Sequence, residues 1–177
     1  GGDAIAQVLE GSFNPSGRLP FTWPRFASTH MTYDHKYTEQ IGTQFGTDAF
    51  NPQFQFGDGL SFSRVTYSNL QSAQTDYALN DVMEFTVTVS NASDRSVAEV
   101  VHLFSQDSVA TITPSVDRLR AFQRVTLNPN ETKEVRFEVA VEELAFVNRD
   151  LDRIVEPGSF GIRIKDEVIG IHVHSHR

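Results

Sequence analysis

Residues 83–90 read Met-Glu-Phe-Thr-Val-Thr-Val-Ser, a strict alternation of apolar and polar side chains. Because successive side chains of a β-strand point to opposite faces, this alternation predicts a strand with one buried and one hydrated face. Residues 134–139 and 160–165 repeat the pattern, whereas residues 97–104 are apolar on both faces, as a central strand would be. Segments rich in turn-forming residues separate these stretches, at 91–95, 128–131 and 156–158.

The number and spacing of the strands indicate the architecture. With further strands at residues 119–127 and 169–173, seven or so short strands follow one another closely. Such a series predicts an antiparallel β-sandwich over residues 65–175, near the size of about 100 residues that is usual for this class. Residues 142–146 add at most one helical turn. We expect the boundary with the preceding part of the chain near residues 60–66.

The part of the chain before the sandwich has a different character. Residues 3–10 show helical spacing of apolar side chains, and Gly11 is suited to end that helix. Residues 18–24, which contain two prolines, predict a short edge strand. Residues 25–59 have no sustained period and are not poor in aromatic residues as a disordered linker would be, so we expect an ordered docking or functional loop. Its aromatic residues are Phe26, Tyr33, Tyr37, Phe45, Phe50, Phe54 and Phe56.

Composition excludes several classes of function. The 177 residues include 23 acidic and 15 basic side chains, which gives a net charge of −8. Nucleic-acid binding depends on basic groups that release counterions, so no nucleic acid is expected as a partner. No apolar run approaches the roughly 20 residues of a membrane span, so no membrane is expected either. The absence of cysteine excludes disulfides and thiolate chemistry.

Several stretches, in order along the chain, resemble parts of one known family. Residues 11–24 read Gly-Ser-Phe-Asn-Pro-Ser-Gly-Arg-Leu-Pro-Phe-Thr-Trp-Pro, residues 33–36 read Tyr-Asp-His-Lys, and residues 56–62 read Phe-Gly-Asp-Gly-Leu-Ser-Phe. They resemble the G-x-x-N-P-S-G-R-L-P-x-T-x-P, Y-N-H-K and F-G-x-G-L-S-Y/F stretches of glycoside hydrolase family 3. Three later stretches resemble consecutive parts of that family's fibronectin III-like domain, at 119–125, 127–132 and 155–160. Each match is modest alone, but the ordered set is specific.

The resemblance implies a mainly β chain in two parts. Residues 1–62 would be the C-terminal remnant of the family's α/β sandwich domain, and residues 63–177 an immunoglobulin- or fibronectin III-like antiparallel β-sandwich. The chain opens without Met or a signal peptide, as expected of a fragment, so its first partner would be the upstream domains of the same polypeptide. Apolar side chains of the remnant would pack on the sandwich, pair two copies as a homodimer or stay disordered. They include Leu9, Phe21 and Trp23.

The resemblance also implies a chemistry. Family 3 enzymes remove sugars from the non-reducing ends of β-linked glycosides, with retention and through a covalent glycosyl-enzyme intermediate. Retention needs two carboxyl groups about 5 Å apart. The family's Asp nucleophile typically lies in a barrel domain and its acid/base Glu often in the α/β domain, both upstream of Gly1. We therefore expect no catalytic residue, no metal and no cofactor in this chain. It would be an accessory part, inactive alone, of a periplasmic or secreted β-glucosidase-like enzyme that acts on β-linked oligosaccharides.

The aromatic-rich loop contains the candidate substrate-binding residues, Tyr33, Asp34, His35 and Asp58. Aromatic rings stack on the apolar faces of sugars, while carboxylates and imidazoles hydrogen-bond to hydroxyl groups. Asp34 stands where the family more often has Asn, which puts the choice of substrate in question. The alternative, which we favour for the aromatic residues at 45–56, is that their rings are buried where the loop meets the sandwich.

Other patterns have structural interpretations. Adjacent carboxylates at residues 142–143 and 150–152 are expected to be solvated surface charges rather than an acid/base pair. Histidines alternate over residues 172–176 and would share one strand face, which could bind zinc or nickel, but we favour the interpretation that they lie on an exposed strand edge. Asn91 and Asn130 begin glycosylation sequons in predicted turns.

Two alternatives to an enzyme fragment stay open. A free-standing carbohydrate-binding or adhesive β-sandwich would show saturable affinity for oligosaccharides on its own. A purely structural spacer would stabilise a longer protein without affecting its choice of substrate.

Overall fold

The computed structural model describes residues 1–29, 31–36 and 51–175. Tyr37, Phe45, Phe50 and His176 lie outside these ranges. Helix α1 (Gly2–Leu9) opens the chain. The strands are β1 (Trp23–Pro24), β2 (Pro52–Phe54), β3 (Val65–Ser72), β4 (Asp76–Ala78), β5 (Val82–Asn91), β6 (Val97–Asp107), β7 (Arg118–Leu127), β8 (Thr132–Ala140), β9 (Phe146–Val147), β10 (Arg153–Ile154), β11 (Gly158–Ile164) and β12 (Glu167–His174). One 3-10 turn, Val141–Leu144, connects β8 to β9.

Two sheets form the predicted sandwich. The larger sheet has the strand order β4-β12-β11-β6-β7, and the smaller has the order β3-β5-β8. Buried side chains of both sheets form one hydrophobic core, so the expected mainly β fold is confirmed. One pairing differs from the purely antiparallel expectation, because β4 runs parallel to β12, with Tyr77 opposite Val173. The chain crosses from the smaller sheet to the larger one between β3 and β4. The last strand, β12, lies beside β4 in the larger sheet and runs in the same direction.

The alternation in β5 places its apolar side chains in the core. Met83, Phe85, Val87 and Val89 are all completely buried. In the pairing of β5 with β8, Phe85 lies opposite Phe137, so both strands direct large side chains to the same side of the sheet. The predicted division into a buried and a hydrated face is confirmed.

Strand β6 is covered on both faces, as its sequence predicts. It lies between β11 and β7, and Val101 and Leu103 face the core. Its other face packs against the loop before the sandwich. The ring of Phe56 lies 5.7 Å from the ring of His102 and 6.2 Å, edge-on, from that of Phe104.

The first part of the chain has little regular structure of its own. Helix α1 ends as predicted, because Gly11 adopts a φ of 75° and its N–H donates to the carbonyl of Val8 (3.1 Å). The strand predicted over residues 18–24 forms only at its last two residues, which pair with β2. At Leu19 the backbone N–H donates instead to the carbonyl of Asp58 (2.9 Å), which ties this stretch to the loop.

Apolar side chains of this first part are exposed rather than packed on the sandwich. Leu9 is 82% exposed, and Phe21 and Trp23 are each 48% exposed. The rings of Phe21 and Trp23 stack on each other, with their centroids 5.6 Å apart. The expectation that these side chains pack on the sandwich is therefore wrong.

Asn14 joins the first part of the chain to the sandwich. We call the boundary between residues 1–62 and the sandwich the seam. The Asn14 amide donates to the Ser63 hydroxyl and to the Ser96 carbonyl, both at 2.9 Å. Its Oδ1 accepts from the Ser61 hydroxyl and the Phe62 N–H, also at 2.9 Å. These bonds use both N–H donors of the amide and both lone pairs of its oxygen. Any other side chain of this size would therefore lose at least one of the four hydrogen bonds.

A buried ion pair crosses the seam next to Asn14. Arg18 Nη2 lies 2.5 Å from Glu99 Oε2, and the Tyr67 hydroxyl donates to Glu99 Oε1 (2.7 Å). Burial, and then the neighbouring Glu99 carboxylate, raise the pKa of Tyr67, so its hydroxyl stays protonated. Gly59 lets the chain approach this pair, because a Cβ there would collide with the carbonyl oxygen of Gly17 and the Arg18 guanidinium.

Candidate functional site

A cleft of about 640 Å³ opens along the seam, and we call it the seam cleft. It includes three of the four predicted substrate-binding residues, Tyr33, His35 and Asp58. The fourth, Asp34, is not among its lining residues, and its carboxylate lies 3.8 Å from Arg118 Nη1. A volume of this size suits a small ligand such as a sugar. The lining also includes Thr22, Phe54, Phe56, Phe104, Asp117 and Arg163.

Backbone pairing with the sandwich positions His35. The carbonyl of His35 accepts from the N–H of Val116 (3.0 Å), and the next residue, Lys36, forms a β-bridge with Ser115. The His35 ring is buried, with Nδ1 3.2 Å from the carbonyl oxygen of Tyr33. His35 therefore lies where the backbone of the loop pairs with the segment between β6 and β7.

Tyr33 lies in an aromatic group on the seam. Its ring stacks on that of Phe56, with centroids 4.6 Å apart and an interplanar angle of 29°. Phe56 in turn contacts Phe104 of β6, as expected if these aromatic residues pack where the loop meets the sandwich. Phe54, by contrast, is half exposed at the cleft, so the buried interpretation does not hold for it.

Asp58 shapes a turn at the edge of the seam cleft. Its Oδ2 accepts from the backbone N–H of Gln55 (2.7 Å), and its own N–H donates to the Gln55 carbonyl (3.1 Å). Asp58 is exposed, so its carboxylate can also accept hydrogen bonds from a ligand hydroxyl.

Thr22 is a cleft residue that the sequence analysis did not select. It is buried, and its hydroxyl has no hydrogen-bond partner within the described ranges. A buried hydroxyl without a partner is costly, and a ligand in the cleft could satisfy it. Only its place inside the motif at residues 11–24 could have drawn attention to it.

An ion pair from the sandwich forms part of the cleft wall. The guanidinium of Arg163 holds Asp117 by two contacts, Nε to Oδ1 at 3.2 Å and Nη2 to Oδ2 at 3.0 Å. Gln106 donates to the same carboxylate (2.9 Å), and the guanidinium lies 4.5 Å above the ring of Phe104. Because Asp117 and Arg163 are 46 residues apart in the sequence, no local pattern could have paired them.

His102 is a second seam residue whose pKa is shifted, after Tyr67. Burial, and then the positive charge of Arg18, lower its pKa below the ordinary value of 6.5. The ring lies beside Phe56 and 6.5 Å from that of Phe122. His102 is therefore neutral at pH 7 and packs as an aromatic side chain.

The side chains of the seam cleft offer hydrogen bonds of the kind that suit a polyol, and its two lining carboxylates both have protein partners. Asp117 is held by Arg163, and Asp58 accepts from the backbone of its own turn. The acidic residues at 142–143, 150 and 152 are exposed, as predicted for surface charges.

The described residues of the remaining sequence patterns do not line the seam cleft. His172 and His174 lie on β12, where His174 Nδ1 is 2.9 Å from the carbonyl oxygen of Tyr77. Across the described ranges, no group of three or more metal-binding side chains is present, and no helix has the length and apolarity that crossing a bilayer requires. Asn91 is buried, whereas Asn130 is exposed in a turn.

Two family models match the chain. The model described as the glycosyl hydrolase family 3 C-terminal domain matches residues 1–62. The model described as the fibronectin type III-like domain matches residues 99–168. The two matches lie on the two sides of the seam.

Curated relatives align over nearly the whole chain. A lysosomal beta glucosidase of Dictyostelium discoideum is 35% identical over 98% of the chain and 22% of its own length. A beta-xylosidase of Formosa agariphila is 35% identical over 92% of the chain and 23% of its own length. A periplasmic beta-glucosidase of Salmonella typhimurium is 32% identical over 93% of the chain and 23% of its own length. The chain thus spans less than a quarter of these relatives.

Solved structures agree in fold. A β-glucosidase from Erythrobacter marinus superposes with a TM-score of 0.89 and 32% identity, over 98% of this chain and 24% of that one. A beta-glucosidase from Listeria innocua, in complex with glucose, gives a TM-score of 0.88 at 28% identity, over 97% of this chain and 26% of that one. The sequence and structure matches therefore agree on both sides of the seam. The chain belongs to glycoside hydrolase family 3, and it corresponds to the C-terminal domain of that family together with its fibronectin III-like domain.

Proposed function

We propose that this chain is the accessory C-terminal part of an enzyme that hydrolyses terminal non-reducing β-D-glycosidic bonds with retention. The observation that carries the proposal is the alignment with a beta glucosidase over 98% of the chain but only 22% of that relative. The catalytic carboxyl groups would then lie in the upstream domains of the same polypeptide, its first partner. Residues 1–62 would belong to the α/β domain, and residues 63–177 would form the fibronectin III-like domain that braces it.

The seam cleft would border the substrate site of the complete enzyme. Tyr33, His35 and Asp58 line it, and the unpartnered hydroxyl of Thr22 offers a hydrogen bond to a sugar hydroxyl. Asp34 would approach the oligosaccharide from the rim, where its pairing with Arg118 is long and exposed. These residues would act on the binding of a β-linked oligosaccharide rather than on bond cleavage.

Kinetics of the longer polypeptide test this role. Thr22→Val keeps the shape of the side chain and removes the hydroxyl, and His35→Ala removes the ring. We expect a lower kcat/KM in both variants, mainly through KM, with a loss of about tenfold for one lost hydrogen bond in a dry site. His172→Ala, on the far β12, serves as the control. Unchanged kinetics in both variants would reject the contact between the seam cleft and the substrate.

The location follows from the same similarity. A periplasmic beta-glucosidase is among the relatives, which supports an exported enzyme, periplasmic or secreted. The net charge of −8 argues against a nucleic-acid partner. The exposed Leu9, Phe21 and Trp23 would contact the upstream domains, or they would join two copies of the chain as a homodimer. A sedimentation measurement of the chain would distinguish a monomer from a homodimer.

A further inference from the structure

A second cleft, of about 340 Å³, lies between the start of β7, the loop at residues 108–117 and the ribbon of β9 and β10. We call it the arginine cleft. Four of its lining residues are basic and one is acidic, although the chain as a whole has a net charge of −8. The charged residues are Lys36, Asp107, Arg118, Arg120 and Arg153. Such a local excess of positive charge attracts anions to the cleft.

Arg120 carries a positive charge at this cleft and forms no ion pair with a carboxylate among the described residues. The guanidinium is half-buried, and Nε donates to the hydroxyl of Ser105 (2.7 Å). It also donates to the carbonyl oxygens of Glu143 and Leu144. Within the part of the chain that the structure describes, no carboxylate lies within 4.0 Å of it. Burial, and then the nearby charge of Arg118, lower the pKa of Arg120 to about 10.

Among the described residues, the ion-pair partners of the other two arginines are weak. Arg118 lies 3.8 Å from Asp34 and Arg153 lies 3.9 Å from Glu143, and all four side chains are more than a third exposed. Exposed ion pairs of this length contribute less than about 1 kcal/mol, so both guanidiniums can turn towards a ligand. Asp107 is the acidic residue of the lining, and its Oδ1 accepts from the N–H of Val109 (3.1 Å).

Part of the cleft lining is apolar. This part includes Ile112, Pro114, Leu144 and Phe146. A ligand that fits must therefore present an oxyanion to the arginines and a flat apolar face to the walls. Guanidinium groups bind carboxylates and sulfates through paired hydrogen bonds, and aromatic or aliphatic walls pack against the faces of sugar rings. A volume of this size accommodates one or two sugar rings.

We propose that the arginine cleft binds an acidic saccharide, a sugar ring that bears a carboxylate or sulfate group. The choice of a sugar rests on the proposed function, whereas the choice of an oxyanion rests on the arginines alone. The site would bind charged chains or side groups of a polysaccharide next to, and separately from, the seam cleft. Its binding needs no turnover, so it can be measured independently of the hydrolase proposal.

Titration of the 177-residue chain by calorimetry or by NMR tests the proposal, with glucuronate and its neutral counterpart glucose as probes. We expect saturable binding of glucuronate that is clearly tighter than any binding of glucose, because glucose has no oxyanion for the arginines. Sodium sulfate, added alone, should bind more weakly than glucuronate, because it makes no contact with the apolar walls. Glucose binding with equal affinity would overturn the proposal, and sulfate binding as tightly as glucuronate would overturn its sugar part.

Paired variants locate the site. Arg118→Gln with Arg153→Gln removes two exposed guanidiniums without touching Arg120, which supports the backbone. We expect at least about a tenfold loss of glucuronate affinity with an unchanged melting temperature, since each charge-assisted hydrogen bond is strong. Arg64→Gln with Arg136→Gln removes the same net charge from other surfaces and should leave the affinity unchanged. An equal loss in both double variants would show attraction by overall charge only and would overturn the site.

Discussion

The guanidinium of Arg18 and the carboxylate of Glu99 lie 2.5 Å apart in the seam and join the two parts of the chain. They are separated by 81 residues, and their side chains are 14% and 7% exposed. Tyr67 completes the arrangement from β3 through its bond to the same carboxylate. A buried charge that loses its partner is strongly destabilising, so this pair makes the first part of the chain depend on the sandwich.

Arg18→Ala should lower the free energy of unfolding by about 3–5 kcal/mol, because it leaves the Glu99 carboxylate buried without its counter-charge. Urea unfolding followed by fluorescence measures this change. Arg136→Ala breaks an exposed pair with Glu84 and is the control, with an expected loss below about 1 kcal/mol. Equal losses in the two variants would contradict a buried pair at the seam.

Gly59→Ala should destabilise the chain by about 1–3 kcal/mol, because the added methyl group meets the Gly17 carbonyl and the guanidinium of Arg18. Gly170→Ala is the matched control, since a Cβ at Gly170 meets no atom within 4 Å. Thermal unfolding of the two variants side by side makes the comparison. Equal stability of the two variants would show that the close approach at Gly59 is not required.

Stability should fall as the pH falls below 6.5, because the folded state binds a proton at His102 less readily than the unfolded state does. With the folded pKa below 6.5, the contribution of His102 is fully present above pH 6.5 and is lost as the pH falls through its folded pKa. Arg18, Glu99, Arg163 and Lys165 are the charges that face it. Denaturant titrations between about pH 5.5 and 7.5 measure the slope.

His102→Phe isolates that slope, because phenylalanine keeps an aromatic ring next to Phe56 and Phe104 and does not titrate. The variant should show a smaller pH dependence than the parent chain over the same range. The other histidines contribute equally to both proteins and cancel in the comparison. An identical slope in the two proteins would contradict the neutral, packed state of His102.

Expression in a host that attaches N-linked glycans should modify Asn130 and not Asn91 in the folded chain. Asn130 is exposed, with a φ of 56°. Asn91 is 2% exposed, and its amide donates to the carbonyls of Arg95 (2.8 Å) and Asn128 (2.9 Å). Mass spectrometry should show one glycan that is lost in Asn130→Gln. A glycan retained in that variant would disprove the assignment.

The core of the sandwich was predictable from the sequence, whereas the seam was not. The alternation in β5 identifies which side chains are buried, because a strand has only two faces and one of them must avoid water. Asn14 and Ser96, or Arg18 and Glu99, meet only because the whole fold brings them together from about 80 residues apart. The motif around Asn14 and Arg18 is recognisable in the sequence, but only the structure shows that it joins the first part of the chain to the sandwich.

The candidate site was predictable to a similar degree. Tyr33, His35 and Asp58 were selected by residue type in an aromatic-rich loop, and they converge on one cleft. Asp34 does not line that cleft, because it lies in a turn and its carboxylate is directed to Arg118 instead. Thr22 carries no chemical signal in the sequence, since only burial without a partner distinguishes it from any other threonine.

Turnover of nitrophenyl β-glucoside by the 177-residue chain tests the central claim most directly. If the catalytic carboxyl groups of this family 3 protein lie in its upstream domains, the purified chain should release no nitrophenol above the buffer rate. Sustained release by the purified chain would contradict the account, because the hydrolytic pair would then have to lie within these residues.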